Sequence, residues 1–160
     1  MKAAADAGNP DAQFDLGYAY LFGEGVGRDD TEAVYWFFLS AEQDHMYAQY
    51  FLGALLEEGR GISQNSRRAA QYFNAAAEQG HAYAQYELGY SYLYGRGVAK
   101  DLVLAYAWLS IAYGTADEWG DRELMRKADS NRQFAALEMS PNDVIEARLM
   151  AMNFSPAKSR

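Results

Sequence analysis

The feature that most constrains this chain is a segment that recurs three times at a fixed offset of 36 residues. Its copies read AQFDLGYAYLFGEGV at 12–26, AQYFLGALLEEGRGI at 48–62 and AQYELGYSYLYGRGV at 84–98. A period of this length is typical of a stacked array of small units, each of which packs on its neighbours. The chain is therefore expected to be a repeat protein and not a globule with a single interior.

Each copy has the pattern of two helices joined by a glycine turn. In the third copy Ala84, Leu88 and Tyr92 fall on one stripe of a helix. The run ends at Gly95, because glycine readily takes the left-handed conformation that closes a helix. Asp101 is then placed to cap a second helix with its own apolar stripe.

Glycine also recurs in the middle of each first helix, where it costs about 1 kcal/mol relative to alanine. Such a cost at one repeated place indicates close packing against the second helix, near the alanine that recurs there. Two tryptophans at equivalent places of the second helices are expected to wedge between the helices of a unit. The predicted structural residues are Gly17, Gly53, Gly89, Ala33, Ala69, Ala105, Trp36 and Trp108.

Composition excludes several classes of partner. The chain has 160 residues and a formal net charge of -8, and an acidic surface repels the phosphates of nucleic acids. No apolar run approaches the roughly 20 residues that a membrane-spanning helix needs, so membrane insertion is not expected. The first ten residues lack the apolar region of a secretion signal, which leaves the compartment undetermined.

The two ends depart from the period. Residues 3–9 match 75–81, so the chain begins within a second helix, and an upstream signal or further repeats are compatible with this start. The open end is a possible surface for homo-oligomers. At the other end, residues 121–138 form an amphipathic stretch, and Ser140-Pro141-Asn142-Asp143 is a helix start signal. The helix that follows, 141–152, is expected to cover the open end of the stack with Val144, Ile145, Leu149 and Met152.

These patterns predict one repeat domain with five segments. They are a partial repeat at 2–10, full repeats at 11–46, 47–82 and 83–116, and capping helices at 117–154.

The repeated pattern AxAQxxLGxxYxxGxGV, followed by xxAxxW, resembles the Sel-one-like repeat (SLR) family, which is related to the tetratricopeptide repeat. The resemblance covers about residues 3–114. It implies an all-α, right-handed α/α solenoid of antiparallel helix pairs, here with a C-terminal capping helix pair. It also implies a concave surface that binds peptides or folded proteins, as in adaptors that have no catalysis of their own.

On the first helices of the first and third repeats, aromatic residues follow each other at i, i+4 and i+8, and the resemblance would direct them into the concave groove. Tyrosine is well suited to recognition because it combines apolar area with a hydroxyl and little rotamer entropy. The predicted groove residues are Tyr18, Phe22, Tyr47, Glu57, Glu58, Tyr83, Tyr90 and Tyr94. For Phe14, Tyr50 and Tyr86 two interpretations stay open, packing between adjacent units or lining of the groove. The carboxylates would complement a partner that carries Lys or Arg.

No catalytic, metal or cofactor site is predicted. His45 and His81 share one repeat position and are interpreted as parts of the turns, too far apart to converge on a metal. Adjacent carboxylates such as Glu57 and Glu58 do not face each other on a helix, so they cannot act as an acid and base pair. Trp119 has no counterpart in the other repeats and is expected to hold the capping helices.

The sequence therefore favours a non-catalytic module that binds a peptide or protein in an aromatic and acidic groove. The alternative is a structural role, in which the solenoid stacks end to end or forms oligomers.

Overall fold

The computed structural model describes residues 2–157, and these residues form nine α-helices and no strand. In chain order the helices are α1 (Lys2–Asp6), α2 (Pro10–Phe22), α3 (Asp30–Ala41), α4 (Met46–Glu58), α5 (Ser66–Glu78), α6 (Ala82–Tyr94), α7 (Leu102–Trp119), α8 (Arg122–Ala136) and α9 (Pro141–Met152). The all-α class predicted from the repeats is confirmed, and the right-handed twist stays a prediction. No helix among the described residues has the length and apolar character needed to cross a membrane.

The chain divides into two compact units, Met1–Ala75 and Ala76–Arg160. Unit 1 contains α1 to α4 and most of α5, and unit 2 contains the end of α5 and α6 to α9. In each unit a first helix packs against the second helix that follows it, α2 on α3 in unit 1 and α6 on α7 in unit 2.

The repeated residues at the helix ends act as caps. Gly23, Gly59 and Gly95 end the first helices in the left-handed conformation, with φ values of 75°, 71° and 70°. At the other end the side chains of Asn9, His45 and His81 each accept a hydrogen bond from the backbone N–H three residues later. The histidines are therefore N-caps, which satisfy donors that the first turn leaves without partners.

The glycines inside the first helices allow the close approach expected of them, with one correction. A Cβ placed on Gly17 would lie 2.8 Å from the Phe37 ring, and one on Gly89 would lie 2.8 Å from Leu109. The side chains nearest to these two glycines are therefore not the predicted alanines, Ala33 and Ala105, but the residues four positions later, Phe37 and Leu109. At Gly53 the neighbours are Phe73, at 2.8 Å, and the carbonyl oxygen of Ala69, at 3.3 Å. All three recurring alanines are fully buried: Ala33, Ala69 and Ala105.

A buried glutamine joins each repeat to the one before it, which sequence analysis missed. Gln13 Nε2 donates to the carbonyl of Ala5 at 3.2 Å, and Gln85 Nε2 donates to that of Ala77 at 3.2 Å. Gln49 makes the same bond to Ala41. Because the carbonyls at a helix C-terminus need partners, these bonds fix where a first helix starts relative to the preceding second helix. The signal was present, since the glutamines recur at the 36-residue spacing.

The two recurring tryptophans lie in different surroundings. Trp36 is buried in a cluster with Ala5 and Leu16. Trp108 is half-buried, and its ring meets Phe154 of the C-terminal segment at 5.4 Å.

The C-terminal region differs from the prediction at the end of α7. Helix α7 continues to Trp119, where Gly120 ends it in the left-handed conformation, so the boundary predicted at 116 lies inside a helix. The start signal of α9 is confirmed, because Ser140 and Asp143 form a capping box and Pro141 is the first helical residue.

The packed face of α9 was predicted correctly at Val144 and wrongly at the other three residues. Val144 and the fully buried Ala147 pack into the core of unit 2. The side chains of Ile145, Leu149 and Met152 are exposed. The reason is that small Ala147 lets α9 approach its neighbours closely, and this turns the larger apolar residues outward.

Candidate protein-binding surfaces

The first helix of unit 1 carries a row of three aromatic rings. Phe14, Tyr18 and Phe22 are spaced four residues apart, which places them one above the other on one side of α2. The ring centroids of Phe14 and Tyr18 are 6.1 Å apart, and those of Tyr18 and Phe22 are 4.5 Å apart. The Phe22 side chain ends the row and is 53% exposed. The row thus begins between helices and ends at the surface.

Helix α4 adds a fourth ring, Phe51, to this row. Its ring lies edge-on to Tyr18 at 5.8 Å and to Phe22 at 6.5 Å, and it stacks on Phe37 of α3 at 5.3 Å. Phe51 is not among the residues predicted from the sequence, although one signal was available. At the same repeat position the other first helices carry Asp15 and Glu87, so an aromatic residue there is specific to the second repeat.

At the N-terminal end of the row, Phe14 contacts Tyr47 and His45. The Phe14 ring stacks on His45 at 4.8 Å and meets Tyr47 at 6.0 Å. The half-buried Phe14 therefore packs between two repeats, and the exposed Tyr47 lies at its edge. Tyr50 likewise packs against Phe73 of α5 at 6.1 Å. We call Phe14, Tyr18, Phe22, Tyr47 and Phe51 the first aromatic face.

Carboxylates surround His45 and alter its titration. Its Nε2 atom lies 3.3 Å from the exposed carboxylate of Asp11. Burial lowers the pKa of His45, while Asp11 and Asp15 oppose that shift. The neutral imidazole is also the form whose Nδ1 can cap α4.

The two glutamates predicted for the groove lie at the end of α4. Glu58 is exposed and forms an ion pair of 3.4 Å with Arg60. Glu57 is half-buried, and its backbone carbonyl accepts a hydrogen bond from Gln64. Arg60 is itself held by Asp30, to which its Nε and Nη2 atoms donate at 3.0 and 2.9 Å. This bidentate bond with Arg60 lowers the pKa of Asp30.

Unit 2 repeats the aromatic row on α6. Tyr86 and Tyr90 have ring centroids 6.2 Å apart, and Tyr90 and Tyr94 are separated by 4.5 Å. We call Tyr83, Tyr86, Tyr90 and Tyr94 the second aromatic face. Of these side chains, Tyr83 and Tyr94 are exposed, and Tyr86 and Tyr90 are half-buried.

Helix α8 and the turn before it engage the second aromatic face. Asn131 donates to the Tyr86 hydroxyl at 3.0 Å, and Phe134 stacks on Tyr94 at 6.4 Å. The Tyr83 hydroxyl donates to the carboxylate of Asp121 at 2.5 Å, and this bond raises the pKa of Tyr83 to about 12. Three of the four tyrosines therefore have partners from α8 or from the turn before it.

Tyr90 has a partner of a different kind. The guanidinium of Arg96 lies over its ring, 5.1 Å from the centroid. A cation over an aromatic face is attracted by the negative charge density of the ring.

Trp119 is the last residue of α7, and its expected role in holding the capping helices stays a prediction. Half of its side chain is exposed, and its ring meets His81 edge-on at 6.2 Å. Burial lowers the pKa of His81 to about 4, so this N-cap is neutral at physiological pH.

The first helices share an unusual charge distribution. Helices α2, α4 and α6 contain no Lys or Arg, while they carry five carboxylates: Asp11, Asp15, Glu57, Glu58 and Glu87. A surface with aromatic rings and carboxylates attracts cationic groups. Among the described residues, no group of three or more histidines, cysteines or carboxylates is placed to hold a metal ion.

The family model for the Sel1 repeat matches residues 10–45, 47–81 and 82–113, which is more than half of the chain. The chain belongs to the Sel1 repeat family. Repeats of this family generally act as protein–protein interaction modules and typically have no catalytic activity.

The chain also resembles solved structures. A Sel1 repeat protein from Oxalobacter formigenes is 36% identical with a TM-score of 0.68, over 81% of this chain and 94% of that one. The protein c5321, a protective antigen present in uropathogenic Escherichia coli strains and displaying an SLR fold, is 26% identical with a TM-score of 0.60. That match covers 96% of this chain and 39% of the antigen. No curated protein sequence matches the chain.

Proposed function

We propose that this protein is a non-catalytic interaction module that binds a peptide or protein partner through its aromatic faces. The observation that carries the proposal is the row of rings on α2, which ends in the half-exposed Phe22 and lies on a helix that contains carboxylates and no Lys or Arg. Aromatic side chains that combine exposure with fixed packing are typical anchors of protein interfaces. The groove residues predicted on α4 and α6 belong to the same proposal.

A matched pair of variants tests this function. Phe22 and Tyr35 are both 53% exposed and both lie in unit 1, but Phe22 is on the first aromatic face and Tyr35 is on α3. Affinity capture from cells that produce the protein, followed by mass spectrometry, identifies the proteins retained by the parent chain. We expect Phe22→Ala to lose the partner and Tyr35→Ala to keep it. Equal retention by both variants would contradict the proposal.

Light scattering separates this function from an assembly role. A monomer at all concentrations agrees with binding through the aromatic faces. A stable dimer that Ala4→Glu dissociates would instead support assembly through the N-terminal end, where Ala4 is exposed on α1.

A further inference from the structure

An aromatic pair near the end of the first helix is present in the first and third repeats and absent from the second. In the first repeat the pair is Tyr18 and Phe22, with rings 4.5 Å apart at 44°. In the third repeat it is Tyr90 and Tyr94, with rings 4.5 Å apart at 51°. The second repeat has Ala54 and Glu58 in these places and therefore has no pair.

The residue after the C-cap glycine distinguishes the two pairs. In the third repeat it is Arg96, whose guanidinium lies over Tyr90. In the first repeat it is Glu24, which is exposed. The backbone is the same at both places, since the N–H of Glu24 bonds to the Ala19 carbonyl and that of Arg96 to the Ser91 carbonyl, both at 2.9 Å. The third repeat thus supplies its own cation, and the first repeat supplies a carboxylate.

The charges around Tyr18 favour a cation from outside. Asp15 and Glu24 are exposed, Glu58 is paired with Arg60, and α2 and α4 contain no Lys or Arg. The arginines nearest in sequence to the two helix ends, Arg28 and Arg60, both pair with Asp30.

We propose that the Tyr18–Phe22 pair is a binding site for an arginine side chain of the partner. The bound guanidinium would lie over Tyr18 as that of Arg96 lies over Tyr90 in the third repeat. The proposal rests on the proposed function and names the chemistry of the partner. Arginine fits better than lysine, because its planar and weakly hydrated guanidinium stacks on aromatic rings. The carboxylates of Glu24 and Asp15 then pair with the bound guanidinium.

The test uses a library of amide-capped pentapeptides with a central arginine and apolar or serine residues at the other positions. Fluorescence polarisation selects the peptide that binds most tightly, and the same peptide is then made with citrulline, which is neutral and nearly isosteric. We expect the citrulline peptide to bind at least about tenfold more weakly, since it loses the cation–π contact and the ion pairs.

Two exchange variants place the effect at this pair. Glu24→Arg gives the first repeat the residue of the third, so the new guanidinium covers Tyr18 and the arginine peptide should bind at least about tenfold more weakly. Arg96→Glu is the matched control in the third repeat: it removes the guanidinium from Tyr90 and leaves the first repeat intact, so the arginine peptide should bind at least as tightly as to the parent. Tyr18→Leu keeps apolar volume without the ring and should weaken the arginine peptide more than the citrulline peptide. Unchanged melting temperatures show that each variant is folded.

Several outcomes would contradict the proposed arginine-binding site. They are equal binding of the arginine and citrulline peptides, an undiminished affinity in Glu24→Arg, or no binding of any library peptide at about 1 mM. The proposed function is judged separately by the partner capture with Phe22→Ala and Tyr35→Ala, so it can survive each of these results.

Discussion

Units 1 and 2 are built on the same repeat but differ in the side chains that contact their aromatic faces. In unit 2 the rings of α6 are met by Asn131, Phe134 and Arg96 from the same unit. In unit 1 the row on α2 meets other rings along its length, and its outer pair carries Glu24 where unit 2 carries Arg96. The residues that build the hairpin are shared, whereas the residues that decide access to the rings are not.

The two units also differ in their balance of acidic and basic residues. Residues 1–75 contain eleven Asp and Glu against five Lys and Arg, and residues 76–160 contain eleven against nine. Much of the basic charge of unit 2 lies on α8, the helix that packs beside the tyrosines of α6. This contrast indicates that unit 1 is the more suitable surface for a cationic partner.

The largest expected effect concerns the shared hairpin. Gly89→Leu in unit 2 should lower the free energy of unfolding by about 3 kcal/mol or more, because a Cβ there would lie 2.8 Å from Leu109 Cγ and 3.1 Å from its backbone nitrogen. Urea unfolding followed by circular dichroism measures the change.

Gly114→Leu is the control for this variant. Gly114 is also a helical glycine of unit 2, but no atom lies within 4 Å of a Cβ placed there. The substitution should therefore be neutral or raise stability by up to about 1 kcal/mol, since leucine favours a helix more than glycine does. A stable Gly89→Leu protein would show that close packing does not explain the repeated glycine.

A second prediction distinguishes the histidine caps of the two units. The folded-state pKa of His81 is about 4, below its ordinary value of 6.5, so the folded protein prefers the neutral form. The stability that this contributes is complete above pH 6.5 and is lost as the pH falls toward 4. It amounts to at most about 3 kcal/mol.

Asparagine is the matched replacement, because Asn9 holds the same cap position in the first repeat. Between pH 7 and pH 4.5, His81→Asn should lose less stability than the parent in urea unfolding. His45→Asn should change the pH profile less, since Asp11 and Asp15 counteract the effect of burial there. A profile of His81→Asn identical to that of the parent would exclude a buried neutral His81.

The part of the fold that could be predicted is the part that repeats. Glycine at 23, 59 and 95 closes a helix for a local reason, and three copies at one spacing make the signal unambiguous. The start of α9 was equally predictable, because a capping box involves only neighbouring residues.

The part that could not be predicted depends on contacts distant in sequence. Nothing local indicates that Phe134 stacks on Tyr94. The face of α9 was assigned wrongly at three residues because apolar residues lie on both of its sides, and packing around Ala147 decides which side is buried. Phe51 could have been found by comparing the copies for differences instead of similarities, and the same comparison identifies Glu24 and Arg96.

The smallest expected effect concerns the arginine after the second C-cap glycine. Arg60 of unit 1 is held by Asp30, while its counterpart in unit 2, Arg96, lies over Tyr90 and has Ser66 at the repeat position of Asp30. Asp30→Asn should lower stability by only about 0.5–1 kcal/mol, because both side chains of this pair are partly exposed. The loss should shrink at high salt, and Asp6→Asn, which disrupts the more exposed pair with Lys2, should have almost no effect. A loss of several kcal/mol that salt does not change would mean that the Arg60 turn is part of the shared hairpin, and the difference between the units at this residue would then be structural.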